Sequence, residues 1–296
     1  VATLPEAIEL RELGITKGIL ILGAVPTSKE EIDLAIKYDI SLTMISLDYM
    51  HHLETLIDQQ PLKIHIKLDT GMHRIGLTSK AQLDEMLNTI DYNKFILEGI
   101  FTHYATADGE QAAFDQQREL FYDLVADHKF KYIHCCNSAA MAYYHDDRSN
   151  LGRIGIIMYG IDPAGNETKE FKQVMSLYSK VALIKKIKAG DRVGYGLTYT
   201  ADEDEYLATI PIGYADGLIR KNQGRNVYIN GKYFEIVGRV CMDQIMVRVD
   251  ETIKEGDKVE IFGAHISLAS MARELETIPY EIICLITKRV DRLYIK

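Results

Sequence analysis

No apolar run in this sequence approaches the roughly 20 residues needed to cross a membrane, and no basic start followed by an apolar core marks a signal peptide. Positive charge is scarce as well: 34 Lys and Arg against 43 Asp and Glu leave a formal net charge of −9. That excludes nucleic acid as the main partner, because phosphate neutralisation needs clustered cations, and it gives an anionic membrane surface nothing to attract. Cysteine is thin too. The four are Cys135, Cys136, Cys241 and Cys284; the adjacent two make a poor disulfide, and no CxxC or His-x-x-x-His spacing suggests zinc. Free thiols in a reducing cytoplasm are the expectation. Low-complexity linkers and solenoid periods are absent. The chain starts at Val1, and "VATLPEAIELRELG" opens as if in mid-domain, so further sequence is expected upstream.

What is present is an ordinary globular composition, 47% hydrophobic and 26% charged over 296 residues, enough for one large domain or two ordinary ones. The first half alternates short β-branched runs with helical patterns. Strands are predicted at "GILILG" (18–23), "ISLTMIS" (40–46), "LKIHIK" (62–67), "FILEGIFTHYA" (95–105), "YIHCC" (132–136) and "RIGIIMYG" (153–160). Helices fall between them. One is opened by Ser28 with Glu31 three residues on, a capping box; another by Asp48; others run near 81–90 and 111–127, and a short one follows Asn137 and Ser138. Strands alternating with helices mean parallel βα units. The expected fold is a (β/α)8 TIM-type barrel with its first unit before Val1, spanning 1–170. From 171 to 296 closely spaced strands separated by glycine turns predict a mainly β second domain, with a hairpin at Asn230-Gly231.

In such barrels the site lies at the C-terminal ends of the strands. Those ends carry Lys67 and Asp69 with Arg74 just after, then Thr102 and His103, then Asn137 and Ser138, then Arg153. Alternation in "LKIHIKLD" puts Ile64, Ile66 and Leu68 on one face and Lys63, His65, Lys67 and Asp69 on the other. Four successive strand ends bearing Lys, His, Asn-Ser and Arg point that polar face into the barrel mouth. The gathered charge is mainly positive, and buried like charges are costly, so an anion is expected there: a phosphate, a carboxylate or a modified side chain. "GRIG" offers backbone N–H groups of the kind that form anion nests. In the β domain, "GYGLTYT" and "IPIGYADG" each set a tyrosine among glycines, and "GRVCMDQ" is unusual for a plain strand.

At these residues the chain resembles the alanine racemase family. "HIKLDTGMHRIG", "EGIFTHYATAD", "HCCNSAA", "RIGIIMYG", "GYGLTYTA", "IPIGYADG" and "GRVCMDQ" follow that family's motifs in order and spacing across essentially all of the chain. The resemblance implies a PLP-binding (β/α) barrel, a C-terminal β domain and a homodimer with shared active sites, acting on a small amino acid. It implies that Arg153 bonds the pyridine nitrogen of pyridoxal 5′-phosphate (PLP), keeping the ring nitrogen unprotonated. Ser138, beside Asn137, and the N–H groups of Gly155 and Ile156 would hold the phosphate. Tyr195, from the partner subunit, would be a catalytic base, helped by His103 linked toward Arg153. Arg74 and the Met242 N–H would fix the substrate carboxylate, with Tyr214 and Asp243 at the mouth of the site. Lys67 aligns with the family lysine that is carbamylated, which turns a buried +1 into a −1 facing Arg74.

Two departures stand out. The family lysine that bonds PLP covalently has no counterpart in this chain, and is expected upstream of Val1. Near the C-terminus "ITKRVDR" carries Lys288 where many members have tyrosine. The expected function is racemisation of L-alanine to D-alanine, with serine as a further substrate, supplying D-amino acid for peptidoglycan in the cytoplasm. The alternatives are the serine racemase domain of a larger membrane protein, as in vancomycin resistance, a barrel-plus-β PLP decarboxylase of basic amino acids, and a PLP-binding relative without racemase activity.

Overall fold

In the computed structural model, the alternation of the first half becomes five parallel strands laid side by side in chain order. They are β1 (Ile19–Leu20), β2 (Ile40–Met44), β3 (Leu62–Lys67), β4 (Phe95–Phe101) and β5 (Tyr132–His134). The helices are α1 (Leu4–Glu12), α2 (Lys29–Lys37), α3 (Leu47–Leu56), α4 (Lys80–Thr89), α5 (Gln111–Val125) and α6 (Ser138–Tyr143). Strand, helix and next parallel strand in sequential order is the repeating unit of a (β/α) barrel wall. The structure describes residues 1–25, 28–144, 146–167 and 170–295. The chain divides into two units, Val1–Gly155 and Ile156–Lys296, earlier than the change of strand pattern near residue 171. Among the described residues no helix is long and apolar enough to cross a membrane.

Local chemistry sets the element ends. Ser28 caps α2 and Glu31 returns the bond, completing the capping box. α3 begins earlier than predicted, because Ser46 and not Asp48 is its cap, the Ser46 Oγ accepting from the Tyr49 N–H at 3.1 Å. Asp48 sits instead in the first turn, where its charge meets the positive end of the helix dipole. The run at 153–160, predicted as a strand, is not one. Ile156–Tyr159 form a 3₁₀ turn, closed by Gly160 at φ +67°, where a Cβ would lie 1.6 Å from the Lys172 carbonyl oxygen. Four apolar residues carry no period that separates strand from helix.

Strand β3 also differs from a half-buried strand. His65 and Lys67 are 5% and 3% exposed, nearly as buried as Ile64 and Ile66, because a parallel sheet is covered on both faces. Aliphatic side chains from β2 and β3 pack under Ile32, Met50, Leu53, Leu83 and Met86 from the helices.

The second unit is a seven-stranded antiparallel sheet in the order β6-β14-β11-β12-β13-β10-β7, with β8 and β9 as a separate ribbon. These are β6 (Leu177–Lys180), β7 (Leu183–Ile187), β8 (Arg192–Val193), β9 (Tyr199–Thr200), β10 (Glu205–Ile210), β11 (Asn226–Ile229), β12 (Lys232–Val237), β13 (Ile245–Val249) and β14 (Lys258–Phe262). Helices α7 (Leu268–Leu275) and α8 (Pro279–Leu285) follow. Ile229 pairs with Lys232, leaving Asn230 and Gly231 as a two-residue turn with φ +46° and +91°, the geometry that the right-handed strand twist favours.

Two glycines separate backbone strain from steric exclusion. A Cβ on Gly231 meets nothing within 4 Å, so Gly231→Ala is expected to cost only about 1 kcal/mol, from its positive φ. Gly160→Ala, blocked by main chain, is expected to cost several times more. Urea unfolding of both variants measures the difference; equal losses would contradict it.

Candidate active site

Where β3 ends, one carboxylate organises a loop. Asp69 Oδ1 accepts from the N–H groups of Gly71 (3.1 Å) and His73 (2.9 Å), and its Oδ2 accepts from that of Arg74 (2.7 Å). Burial pushes the Asp69 pKa up, but these three donors prevail and hold it below the ordinary value. The loop returns along its own strand: Leu77 N–H bonds the Lys67 carbonyl at 2.9 Å and Asp69 N–H bonds that of Leu77 at 2.8 Å. Gly76 makes the return possible, since a Cβ there would lie 2.7 Å from the Lys67 oxygen. Arg74 is thereby held beside the strand end with an exposed side chain. Lys67 stays inside, its Nζ donating to the Leu68 carbonyl at 2.6 Å and lying 5.6 Å from the Phe101 ring centre.

The ends of β4 and β5 converge on Arg153. Its Nη1 donates to the His134 carbonyl (2.6 Å) and to His134 Nδ1 (2.9 Å). Its Nη2 donates to the carbonyls of Thr102 (2.8 Å) and Cys135 (3.2 Å), with His103 Nδ1 at 3.5 Å. A guanidinium has five N–H groups. Four are taken, and the fifth, on Nε, has no partner among the described residues. Just beyond β5, Asn137 caps α6, its Oδ1 accepting from Ala140 N–H at 3.0 Å while its Nδ2 donates to the Tyr104 carbonyl at 3.3 Å. The Ser138 Oγ accepts from Gly155 N–H at 2.9 Å. Lys67, Arg74, His103, Asn137, Ser138, Arg153 and Gly155 thus belong to one neighbourhood in the first unit.

That neighbourhood is electropositive. Burial pulls the Lys67 amine down to about 8, with Asp69 opposing and Arg153 and Arg74 adding to the fall. Burial, then Arg153, Arg74 and Lys67, pulls His103 down to about 4, so its imidazole is neutral at pH 7. Arg153 comes down to about 10 through burial, and keeps its charge. Among the described residues the carboxylate at hand, Asp69, is committed to the loop.

Ile156 lies in the second unit with its side chain in that unit's core. The remaining predicted residues are there too. Tyr195 begins a 3₁₀ turn, 71% exposed, between Gly194 and Gly196 with φ +75° and +73°. A Cβ on Gly196 would lie 2.8 Å from Arg239 Nη1, so that turn leans on the start of "RVCMDQ". Tyr214 N–H bonds the Cys241 carbonyl at 3.1 Å and Ala215 N–H that of Met242 at 3.0 Å, an approach that only Gly213 allows, its Cβ position being 2.4 Å from both oxygens. Arg289 ties the same loops, its Nη2 reaching Asp243 at 2.8 Å and its Nε Asp216 at 3.4 Å. Lys288 is exposed between this anchor and Thr287, whose Oγ1 donates to the Ala215 carbonyl at 2.8 Å.

Sequence reasoning missed three supports. His134 holds Arg153, and an inward polar residue just before the "CCNS" strand end was the available signal. Buried Gln117 accepts from Ala105 N–H at 2.8 Å and so fixes the turn after His103; a lone glutamine in an amphipathic helix gives no sign of this. Arg239 had no signal beyond its motif.

Two family models match the chain: "Alanine racemase, N-terminal domain" over residues 1–163 and "Alanine racemase, C-terminal domain" over 174–294. The alanine racemase of Streptococcus mutans is 42% identical over 307 residues, covering 100% of this chain and 82% of the relative. The crystal structure of alanine racemase from Bacillus anthracis with bound L-Ala-P matches with a TM-score of 0.92 at 37% identity, over 100% of this chain and 80% of that one. That from Bartonella henselae with covalently bound pyridoxal phosphate matches at 0.89 and 30%, over 100% and 84%.

The buried histidines make stability depend on pH. His103 and His65 titrate near 4 when folded, through burial first, and His134 lies well below its ordinary value. Unfolded histidine titrates near 6.5. Between those values the unfolded chain binds more protons, so stability is full above pH 6.5 and falls as pH drops toward 4. His103→Gln is expected to make that fall shallower in thermal unfolding; an unchanged slope would contradict the assignment.

Proposed function

The chain belongs to the alanine racemase family, and from that premise we propose that it interconverts L- and D-alanine with pyridoxal 5′-phosphate as cofactor, turns over serine as well, and works as a homodimer in the cytoplasm to supply D-amino acid for peptidoglycan. The observation that carries this reading is the single uncommitted N–H of Arg153, on Nε, in a cage that spends the other four. A fixed, charged donor with one free N–H is what a pyridine nitrogen acceptor needs. The electropositive surroundings suit a phosphate and a substrate carboxylate. Bound here, the cofactor supplies the electron sink that makes the substrate Cα–H acidic.

The chain's own residues divide the remaining work. Arg153 gives the ring nitrogen a hydrogen bond and no proton, because a group titrating near 10 keeps its own. Ser138, beside Asn137, and the Ile156 N–H would hold the phosphate, joined by the Gly155 N–H once it leaves the Ser138 Oγ to which it donates at 2.9 Å. Arg74 and the Met242 N–H orient the carboxylate, and Tyr214, Asp243 and Lys288 shape the mouth. Tyr195 Oη takes or returns the Cα proton on one face, and His103, neutral and 3.5 Å from Arg153 Nη2, supplies a hydrogen-bonded path behind it. Lys67 reacts as its neutral amine with carbon dioxide, forming a carbamate and releasing a proton. Its pKa near 8 makes that amine accessible at neutral pH, and the resulting anion braces Arg74.

Tyr195, Met242 and Tyr214 are all exposed on the second unit, at 71%, 52% and 42%, which leaves them available to a partner subunit as the proposed homodimer requires. Shared sites are expected to show complementation. Tyr195→Phe and Arg153→Ala are each expected to lose roughly 10²–10⁴-fold in kcat, while mixed dimers, holding one intact site, recover part of the activity. No recovery would contradict shared sites.

Lys288 is expected to loosen selection against a hydroxymethyl side chain, a discrimination worth about 1–3 kcal/mol in such pockets. Lys288→Tyr is therefore expected to lower the serine-to-alanine ratio of kcat/KM by roughly tenfold. An unchanged ratio removes Lys288 as the selector.

A further inference from the structure

Behind Arg153 the polar contacts continue into the strand layer. His134 Nε2 lies 2.9 Å from His65 Nδ1, and His65 Nε2 lies 3.8 Å from Glu98 Oε2. That approach is beyond hydrogen-bond length, so the carboxylate acts on the ring by its charge, while Glu98 Oε2 accepts from Ser41 Oγ at 2.7 Å. We propose that Glu98 is the counter-charge of Arg153, coupled to it through His134 and His65, and that Glu98, His65 and His134 are positioning residues for the guanidinium. The proposal rests on the reading of Arg153 as the residue that bonds the PLP ring nitrogen.

Hydrogen-bond polarity along this path has one solution. A guanidinium only donates, so His134 Nδ1 must be the acceptor. His134 is neutral, so its proton is on Nε2 and is donated to His65. His65 Nδ1 is then the acceptor, and its own proton is on Nε2, facing the Glu98 carboxylate. The two rings are aligned dipoles, lone pairs toward the cation and N–H groups toward the anion. Both ends of the path are stabilised, and neither ring carries charge. Of the other charges, Lys131 acts on His65 and Arg153 on His134, each disfavouring a charged ring.

The backbone is shaped for this path. His65 is on β3 and His134 on β5, with β4 between them. The ring of His65 crosses β4 over Gly99, where a Cβ would lie 2.6 Å from His65 Nδ1 and 2.7 Å from the Tyr132 carbonyl oxygen. The β3–β4 register slips at the same place: Ile64 pairs with Leu97 but His65 pairs with Gly99, leaving Glu98 as the extra residue of a bulge. Bulges of this sort re-aim side chains near functional sites. Ring stacking fixes the orientations, His65 on Tyr132 at 5.9 Å and His134 on Phe101 at 4.6 Å.

The test starts with the unsubstituted protein, its histidines labelled with 15N, read by proton–nitrogen correlation at pH 7. His65 and His134 are expected both to be neutral with the proton on Nε2; a charged ring, or a proton on Nδ1 in either, overturns the proposal. The second arm is the PLP dissociation constant by fluorescence titration. His65→Leu, which strips both contacts, is expected to weaken PLP roughly tenfold. Glu98→Gln and His65→Asn, which sever only the link to the carboxylate, are expected to weaken it by roughly threefold. Wild-type affinity in all three, with normal thermal stability, overturns the proposal as a merely structural arrangement. Arg153→Gln is the control: if it binds PLP as the unsubstituted protein does, the underlying reading of Arg153 has failed, while the tautomer result still reports on the path itself.

Discussion

One buried cation orders the barrel half of this molecule. Arg153 carries a full charge where burial opposes it, and an unpaired guanidinium in such a place would cost several kcal/mol. The chain meets that constraint with main-chain carbonyls from the ends of β4 and β5 and with two neutral histidines. Carbonyls give direction without supplying a counter-ion close by. The charge is therefore held without being neutralised locally, and the free Nε–H keeps its strength for a ligand.

The positive surplus has consequences on every side. His103 stays neutral chiefly through burial, with Arg153, Arg74 and Lys67 adding to it, and burial followed by Arg153 and Arg74 pulls the Lys67 amine down to about 8 against the opposing Asp69. Asp69 is spent on the loop that carries Arg74, which leaves positive charge in surplus among the described residues of the site. A phosphate, a substrate carboxylate and a lysine carbamate, the three anions of the proposed function, would each answer that surplus. In the second unit the equivalent constraint is steric. Three loops meet at glycines where main-chain oxygens lie inside the space of a side chain, among them Gly213 and Gly217, whose Cβ positions are 2.4 Å from the carbonyl oxygens of Cys241 and Leu285. Tyr214, Met242 and Lys288 gain their placement from this stitching.

Much of this was legible in the sequence wherever one residue's chemistry decides the local outcome. Ser28 with Glu31, and Asn230 with Gly231, act through bonds and dihedrals spanning a few residues. Lys67 and His103 stood out because strand alternation and barrel topology say where a polar residue is out of place, whereas Arg153 was grouped with them through a strand at 153–160 that the structure does not form. The reading failed where partners are distant or periods short. Residues 153–160 looked like a strand because four apolar residues carry no period. Asp48 looked like a cap because Ser46 two positions earlier is an equally good one. Glu98 and Gly99 read as ordinary members of a strand, and only the register slip opposite His65 gives them a role. Gln117 acts across space on a turn that its own helix cannot reveal.

The central claim is that Arg153 meets the cofactor as a hydrogen-bond donor that keeps its proton. The direct measurement is the nitrogen chemical shift of PLP labelled with 15N in the pyridine ring and bound to the protein at pH 7. The account predicts an unprotonated, hydrogen-bonded pyridine nitrogen whose shift moves in Arg153→Gln. A pyridinium shift, or one indifferent to that substitution, would contradict it.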